Sequence, residues 1–133
     1  MYNMDKELKF AVLIDGDNMT SNYLKEMMEE IAKLPYILTI TRDTESLHIP
    51  PISTEYKHIP CVYYLLYNGN VIKVGQAIDV CSRFAGYRSE AITYPKHRTN
   101  GSWRTVKTLY ETMNVGEIVE VYARFIEIKK QYV

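Results

Sequence analysis

The stretch CVYYLLYNGNVIKVG, from Cys61 to Gly75, carries three tyrosines and a lysine on either side of an Asn-Gly pair. Two apolar runs around Asn-Gly predict a β-hairpin, whose strands bring side chains of both runs together. Hydrolysis of a phosphodiester needs a base for water, positive charge on the phosphorane and help for the leaving oxygen. A tyrosine could be the base, and a lysine beside it could favour the phenolate form and position the water. An ordinary hairpin and the reacting end of a nuclease both fit these residues.

The longer stretch VYYLLYNGNVIKVGQAIDVCSRFAGY resembles the core of the GIY-YIG nucleases. In that family a tripeptide ending in Tyr and another ending in Gly lie on adjacent strands, and an Arg follows on the next helix. CVY stands in the position of GIY and KVG in that of YIG. Small type II restriction enzymes of the family also have a lysine there. The likeness covers about residues 61–126 and implies a DNA endonuclease.

The resemblance implies catalytic roles for four side chains. Tyr63 matches the general-base tyrosine, and Lys73 would favour its phenolate form and position the water, because a phenol with a pKa of about 10 is otherwise a poor base. Arg83 would brace the phosphate with its planar guanidinium. Tyr87, four residues later, would lie on the same helical face and hydrogen-bond the phosphate. Taken singly, each residue would more often be core or surface, so the interpretation depends on their joint spacing.

The loop of the hairpin decides whether Tyr63 and Lys73 meet. If Asn68 and Gly69 form a two-residue turn, Lys73 pairs with Tyr64. If residues 67–69 form a three-residue loop or a bulge, Lys73 pairs with Tyr63. The resemblance predicts the second register. Placement of Tyr63 and Lys73 on opposite faces would contradict the catalytic assignment.

Positive charge is concentrated in the second half of the chain, although the net charge is zero. Residues 73–107 include seven basic side chains and two acidic ones. Such a segment indicates an anionic partner, usually nucleic acid, although a solvated face fits the charge alone equally well. Together with the resemblance it predicts DNA as the partner, and a homodimer is left open. The predicted phosphate contacts are Arg88, Lys96, Arg98, Arg104 and Lys107.

The metal-binding acid of the family has no evident counterpart. There, a Glu on a helix after the third strand binds the metal that assists the leaving group, and Mg²⁺ is the cofactor that the resemblance implies. Here Glu127 is the nearby acid, and it lies on or just after the strand. Another acid could substitute, a partner chain could supply one, the unit could be inactive, or the chain could be a truncated or fused product. The alternative function is a non-catalytic nucleic-acid-binding or regulatory module.

The N-terminal residues resemble a second family. AVLIDGDN, followed by an amphipathic helix, resembles the opening of NYN-domain proteins, which belong to the PIN-like ribonucleases. This likeness covers about residues 9–35 and implies that Asp15 and Asp17, beside Asn18, would hold a divalent cation. A strand that ends in a tight turn explains the same residues. A PIN-like ribonuclease is therefore the weaker enzymatic alternative.

Apolar periodicity predicts the elements around the hairpin. They are a helix ended by Pro35, a helix started by Asp79, a helix over Thr105–Met113 and a strand from Val119 to Arg124. The predicted fold class is α/β (α+β), with a small GIY-YIG-like mixed sheet flanked by helices and preceded by a β-α-β N-terminal extension. The predicted organisation is an NYN-like segment at 1–42, a proline-containing connector at 43–57 and a GIY-YIG-like unit at 58–133.

Two further features concern the location of the protein. Neither a signal peptide nor a membrane-spanning run is expected from the apolar pattern. The two cysteines lack metal-ligand spacing and are too few for a disulfide framework. They indicate a reduced, cytoplasmic protein.

Overall fold

The computed structural model of the protein describes residues 21–94 and 101–126, which form three α-helices and five strands. In chain order these are α1 (Ser21–Ala32), β1 (Tyr36–Arg42), β2 (Leu47–His48), β3 (Cys61–Tyr67), β4 (Asn70–Ala77), α2 (Val80–Thr93), α3 (Gly101–Thr112) and β5 (Ile118–Phe125). A short 3-10 helix at Thr54–Tyr56 lies between β2 and β3. The strand predicted at the start of the N-terminal extension lies outside the described residues.

The five strands form one sheet in the order β2-β1-β5-β3-β4. Every pair in it is antiparallel, where a mixed sheet was expected. The α/β class with helices beside a small sheet is confirmed. β1 comes from the predicted N-terminal segment and β2 from the predicted connector, and β5 joins them to the hairpin. Residues on both sides of the predicted boundary at 42/43 therefore complete the same sheet.

The core lies between the sheet and the helices α2 and α3. Along β3, buried residues alternate with half-buried ones, as expected for a strand with one face on the core. Cys61, Tyr63 and Leu65 are the buried set of β3. The partners that enclose them are Val119, Val121 and Ala123 from β5, Val80, Phe84, Tyr87 and Ala91 from α2, and Val106, Leu109 and Met113 from α3 and its end.

Helix α2 begins where the sequence predicts. The Asp79 carboxylate accepts hydrogen bonds from the backbone N–H groups of Cys81 at 3.0 Å and Ser82 at 3.4 Å. An N-cap of this kind satisfies donors that have no partner inside the helix. The predicted helices before Pro35 and over Thr105–Met113, and the predicted strand within β5, are also confirmed. The local signals thus locate all three described helices.

The predicted register of the hairpin is wrong. Asn68 and Gly69 both have positive φ, so they form a two-residue turn in which Tyr67 pairs with Asn70. The irregularity lies in β4 instead: Leu66 pairs with Val71 and Leu65 with Lys73, which leaves one extra residue, Ile72, between them. Lys73 therefore lies opposite Leu65, and Gly75 lies opposite Tyr63.

The bulge at Ile72 nevertheless brings Lys73 to the face that catalysis would need. In a strand, a shift of one residue moves every later side chain to the other face. Without the extra residue, Lys73 would pair with Tyr64, on the face away from α2 and α3. With it, Lys73 pairs with Leu65, which shares the face of Tyr63. Tyr63 and Lys73 therefore lie on one face of the sheet, offset by one residue pair.

Candidate active site

Three side chains of the predicted site meet at one phenol oxygen. Tyr63 Oη lies 2.6 Å from Tyr87 Oη, and either hydroxyl can be the donor. Arg83 Nη1 donates to Tyr63 Oη at 3.5 Å. Tyr63 comes from β3, whereas Arg83 and Tyr87 lie one turn apart on α2 and so share a helical face. The structure thus brings together a phenol pair and a guanidinium, which are three of the four side chains that the resemblance singles out, and their catalytic roles stay predictions.

Packing around these phenols is aromatic. Phe84 contacts Tyr63 edge to face, with ring centroids 5.2 Å apart, and Tyr87 in the same manner at 4.9 Å. Phe84 is completely buried. Sequence reasoning missed this residue as part of the site, although its place between Arg83 and Tyr87 on an apolar helix face was a signal for it. Its ring fixes both tyrosines, since edge-to-face contacts add stability beyond the area that they bury.

The Tyr63 hydroxyl is shielded from water in this arrangement. The Tyr63 side chain is 0% exposed and Tyr87 is 3% exposed, whereas Arg83 is exposed. Burial raises the pKa of Tyr63 well above its ordinary value, and the adjacent Tyr87 raises it further. The positive charge of Arg83 acts in the opposite direction but is the smaller effect. Tyr63 is therefore a neutral phenol at physiological pH in this state.

Gly75 has a role that the sequence analysis did not assign. It pairs with Tyr63, and the Tyr63 ring crosses the space that a side chain at position 75 would occupy. A glycine inside a strand often marks a close approach of this kind, and this was the available signal. Gly75 thus provides the room in which the phenol of Tyr63 reaches Tyr87.

The start of α2 carries a second polar group near the site. Asp79 caps the helix and lies 3.3 Å from Nδ1 of His58, which has positive φ. Burial alone would raise the pKa of Asp79, but the hydrogen bonds from Ser82, His58 and Cys81 keep it below its ordinary value. Asp79 is therefore ionised at neutral pH, and its role in the structure is to anchor the helix that carries Arg83.

The predicted phosphate contacts occupy different surroundings. Arg88 donates from Nε to the carbonyl of Ile49 at 2.7 Å and from Nη2 to that of Pro50 at 2.8 Å. It thereby fastens the connector to α2. Arg104 is exposed on α3, and Lys107 on the same helix donates to Glu111 at 3.1 Å. Lys96 and Arg98 lie outside the described residues. The assignment of all five to phosphates stays a prediction.

The acids in the described ranges do not form a cluster of metal ligands. No three His, Cys, Asp or Glu side chains of residues 21–94 and 101–126 lie close enough together to hold an ion. The single Glu that binds the metal in the family that the sequence resembles has no counterpart assigned within these ranges. Glu127, Asp15 and Asp17 lie outside them. The magnesium requirement stays a prediction, without an identified ligand.

The described part of the chain has no helix that is long and apolar enough to cross a membrane.

The sheet order and the two helices on one face define an α+β fold that nucleases of known structure share. Restriction endonuclease HPY188I, solved in complex with product DNA, is similar with a TM-score of 0.58 and 21% identity over 86% of this chain and 70% of that one. A mutant of bacteriophage T4 EndoII is similar with a TM-score of 0.50 and 21% identity over 76% of this chain and 71% of that one. No protein-family model and no curated protein sequence matches the chain. At 21% identity these similarities show a shared fold alone.

Proposed function

We propose that this protein is a GIY-YIG-like endonuclease that hydrolyses DNA phosphodiester bonds, with Tyr63 as general base and Arg83 bracing the phosphate. The observation that carries the proposal is the meeting of Tyr63, Tyr87 and Arg83 at one phenol oxygen. Two supports are independent of it. A restriction endonuclease has the same fold, and basic residues are concentrated in the second half of the chain.

In the proposed reaction Arg83 receives the phosphate, because it is the solvent-facing member of the three side chains. Its guanidinium neutralises charge on the phosphate and on the phenolate that must form nearby. For Tyr63 to accept a proton from water, its own proton has to leave first. Tyr87 Oη, at 2.6 Å, can relay that proton by accepting it while the Tyr87 hydroxyl proton passes to solvent. Lys73, on the same face of the sheet, adds positive charge. Because Tyr63 is fully buried, the incoming substrate has to displace the side chains above it to admit the water.

The second candidate is a nucleic-acid-binding module that has this fold and does not cut. The burial of Tyr63 and the raised pKa of its phenol favour it, since both oppose formation of the phenolate. A neutral Tyr63 would then serve to join β3 to α2. A PIN-like ribonuclease that uses Asp15 and Asp17 is the third candidate, and its residues lie outside the described ranges.

Cleavage assays separate these candidates. Plasmid DNA and RNA are incubated with the protein in Mg²⁺ or in EDTA, alongside the variants Tyr63→Phe, Arg83→Ala and Asp15→Asn. Tyr64→Phe is the matched control, because Tyr64 is the next residue of β3 and points to the other face of the sheet. DNA cutting that Tyr63→Phe and Arg83→Ala abolish and Tyr64→Phe retains is the expected result.

Other outcomes assign the other functions. RNA cutting that is lost in Asp15→Asn alone identifies a PIN-like ribonuclease. Binding of DNA without cutting identifies the non-catalytic module. Binding to DNA through phosphates must weaken as salt rises, with a slope of about −0.9 per phosphate contact in a plot of log affinity against log salt concentration. Binding that is insensitive to salt contradicts both proposals for DNA.

A further inference from the structure

The Tyr63 ring occupies the place of the side chain that Gly75 lacks. A Cβ atom at Gly75 would lie less than 3.0 Å from Cζ, Oη and Cε2 of Tyr63, closer than real Cβ atoms approach. Gly75 and Tyr63 are direct partners across β4 and β3. Paired side chains in a sheet normally stand side by side about 4.5–5.5 Å apart. Here the phenol leans across the neighbouring strand instead, and only a residue without Cβ permits it.

The requirement for glycine is steric. The positive φ values of the described glycines are those of Gly69 and Gly116, so Gly75 has a backbone conformation that other residues adopt. Gly75 lies opposite Tyr63 because of the bulge at Ile72. Without the extra residue, Val74 would lie opposite Tyr63. Bulge and glycine thus act together: the first sets the register, and the second leaves the space.

The Tyr63 ring is held on its other sides and has little freedom to yield. It is 0% exposed, Phe84 packs edge to face against it at 5.2 Å, and its hydroxyl is 2.6 Å from that of Tyr87. A side chain at position 75 would contact the ring at Cζ and Oη, the end that makes the hydrogen bonds. Relief of the clash therefore requires the hydroxyl to leave Tyr87 and Arg83.

We infer that Gly75 is a positioning residue, which acts through Tyr63 by leaving the space in which its hydroxyl meets Tyr87 and Arg83. The contact itself is independent of the reaction, whereas its consequence for cleavage rests on the proposed function. A displacement of about 1 Å in a catalytic group can lower a rate about 100-fold. Gly75→Ala is therefore expected to lower DNA cleavage by about that factor.

The test compares Gly75→Ala with Gly86→Ala. Gly86 lies in α2, and a Cβ there would be 3.5 Å from Ser102 Oγ, an ordinary contact. Ionisation of the tyrosines is followed by ultraviolet absorbance as pH rises. Compared with the wild type, Gly75→Ala is expected to have one more tyrosine that ionises near the ordinary pKa of about 10. This additional ionisation is expected to be absent from the double variant Gly75→Ala/Tyr63→Phe. Gly86→Ala is expected to titrate and to cut like the wild type.

A second pair of variants keeps the inference testable if Gly75→Ala folds poorly. Leucine at position 63 lacks the three ring atoms that would clash, so Gly75→Ala should leave the urea midpoint unchanged in a Tyr63→Leu background. An equal loss of stability in both backgrounds overturns the inference, and so does an unchanged tyrosine titration in Gly75→Ala. If the titration shifts but the wild type cuts no DNA, Gly75 still positions Tyr63, and the endonuclease proposal is the one that fails.

Discussion

Replacement of Tyr87 by Phe removes a single oxygen atom from the centre of the candidate site. The Tyr63 hydroxyl then loses its 2.6 Å partner and retains the longer 3.5 Å contact with Arg83. Because Tyr63 is completely buried, water does not replace the lost partner without a change in packing. A buried hydroxyl without a good partner costs about 1–3 kcal/mol. A loss of about 2 kcal/mol lowers the melting temperature of a domain of this size by about 6–10 °C.

The reciprocal variant makes the prediction sharper. Tyr63→Phe leaves the Tyr87 hydroxyl buried and is expected to cost a similar amount. The double variant Tyr63→Phe/Tyr87→Phe removes both polar groups, so its cost should be clearly smaller than the sum of the two single costs. The non-additivity isolates the hydroxyl pair from the packing of the rings, which all three variants retain.

Urea unfolding followed by circular dichroism measures these differences. The midpoint of Tyr87→Phe should fall, with an unchanged dependence on urea, because the surface that is exposed on unfolding hardly changes. Tyr64→Phe, on the other face of β3, serves as the control and should stay within about 0.5 kcal/mol of the wild type. A Tyr87→Phe midpoint equal to that of the control, or strictly additive single costs, would refute the reasoning about the buried pair.

Two further predictions concern the Tyr63 phenol and the Arg88 side chain. The folded state raises the pKa of Tyr63, so this phenol adds stability that is fully present below about pH 10 and disappears as pH rises through the folded-state pKa. Above pH 10 the urea midpoint of the wild type should therefore fall more steeply with pH than that of Tyr63→Phe. Parallel curves for the two proteins would contradict this prediction. Arg88→Ala removes the hydrogen bonds to the carbonyls of Ile49 and Pro50, so it should lower the free energy of unfolding by about 1–3 kcal/mol and speed proteolysis within residues 43–57. Arg88→Lys should restore little of this, because lysine lacks the planar guanidinium. An unchanged rate of proteolysis would contradict the role of Arg88 in holding these residues.

Arg88 also illustrates where sequence reasoning has its limit. A basic residue on a helix beside a basic segment predicts a phosphate contact, and nothing local distinguishes it from Arg104. The difference arises because the backbone near Ile49 passes α2 and presents two carbonyls at hydrogen-bonding distance. That contact joins residues nearly 40 positions apart, so short-range patterns carry no information about it.

The sequence by itself determined the local elements and the spacing of the site. Backbone preferences and the periods of strands and helices account for the two apolar runs around Asn68-Gly69, the alternation from Val119 to Arg124, the Asp79 cap and the four-residue spacing of Arg83 and Tyr87. These are properties of neighbouring residues. Together with the resemblance to the GIY-YIG nucleases, they predicted a site that combines a tyrosine, an arginine and a second tyrosine.

The tertiary structure alone decided the register, the burial and the membership of the sheet. The bulge at Ile72 sets Gly75, rather than Lys73, opposite Tyr63, and Phe84 closes over the phenol. β1 and β2 enter the sheet through β5, which is distant from them in the chain. Each of these outcomes depends on which strand pairing buries the most apolar surface over the whole fold, and that balance among distant residues is absent from any short stretch of sequence.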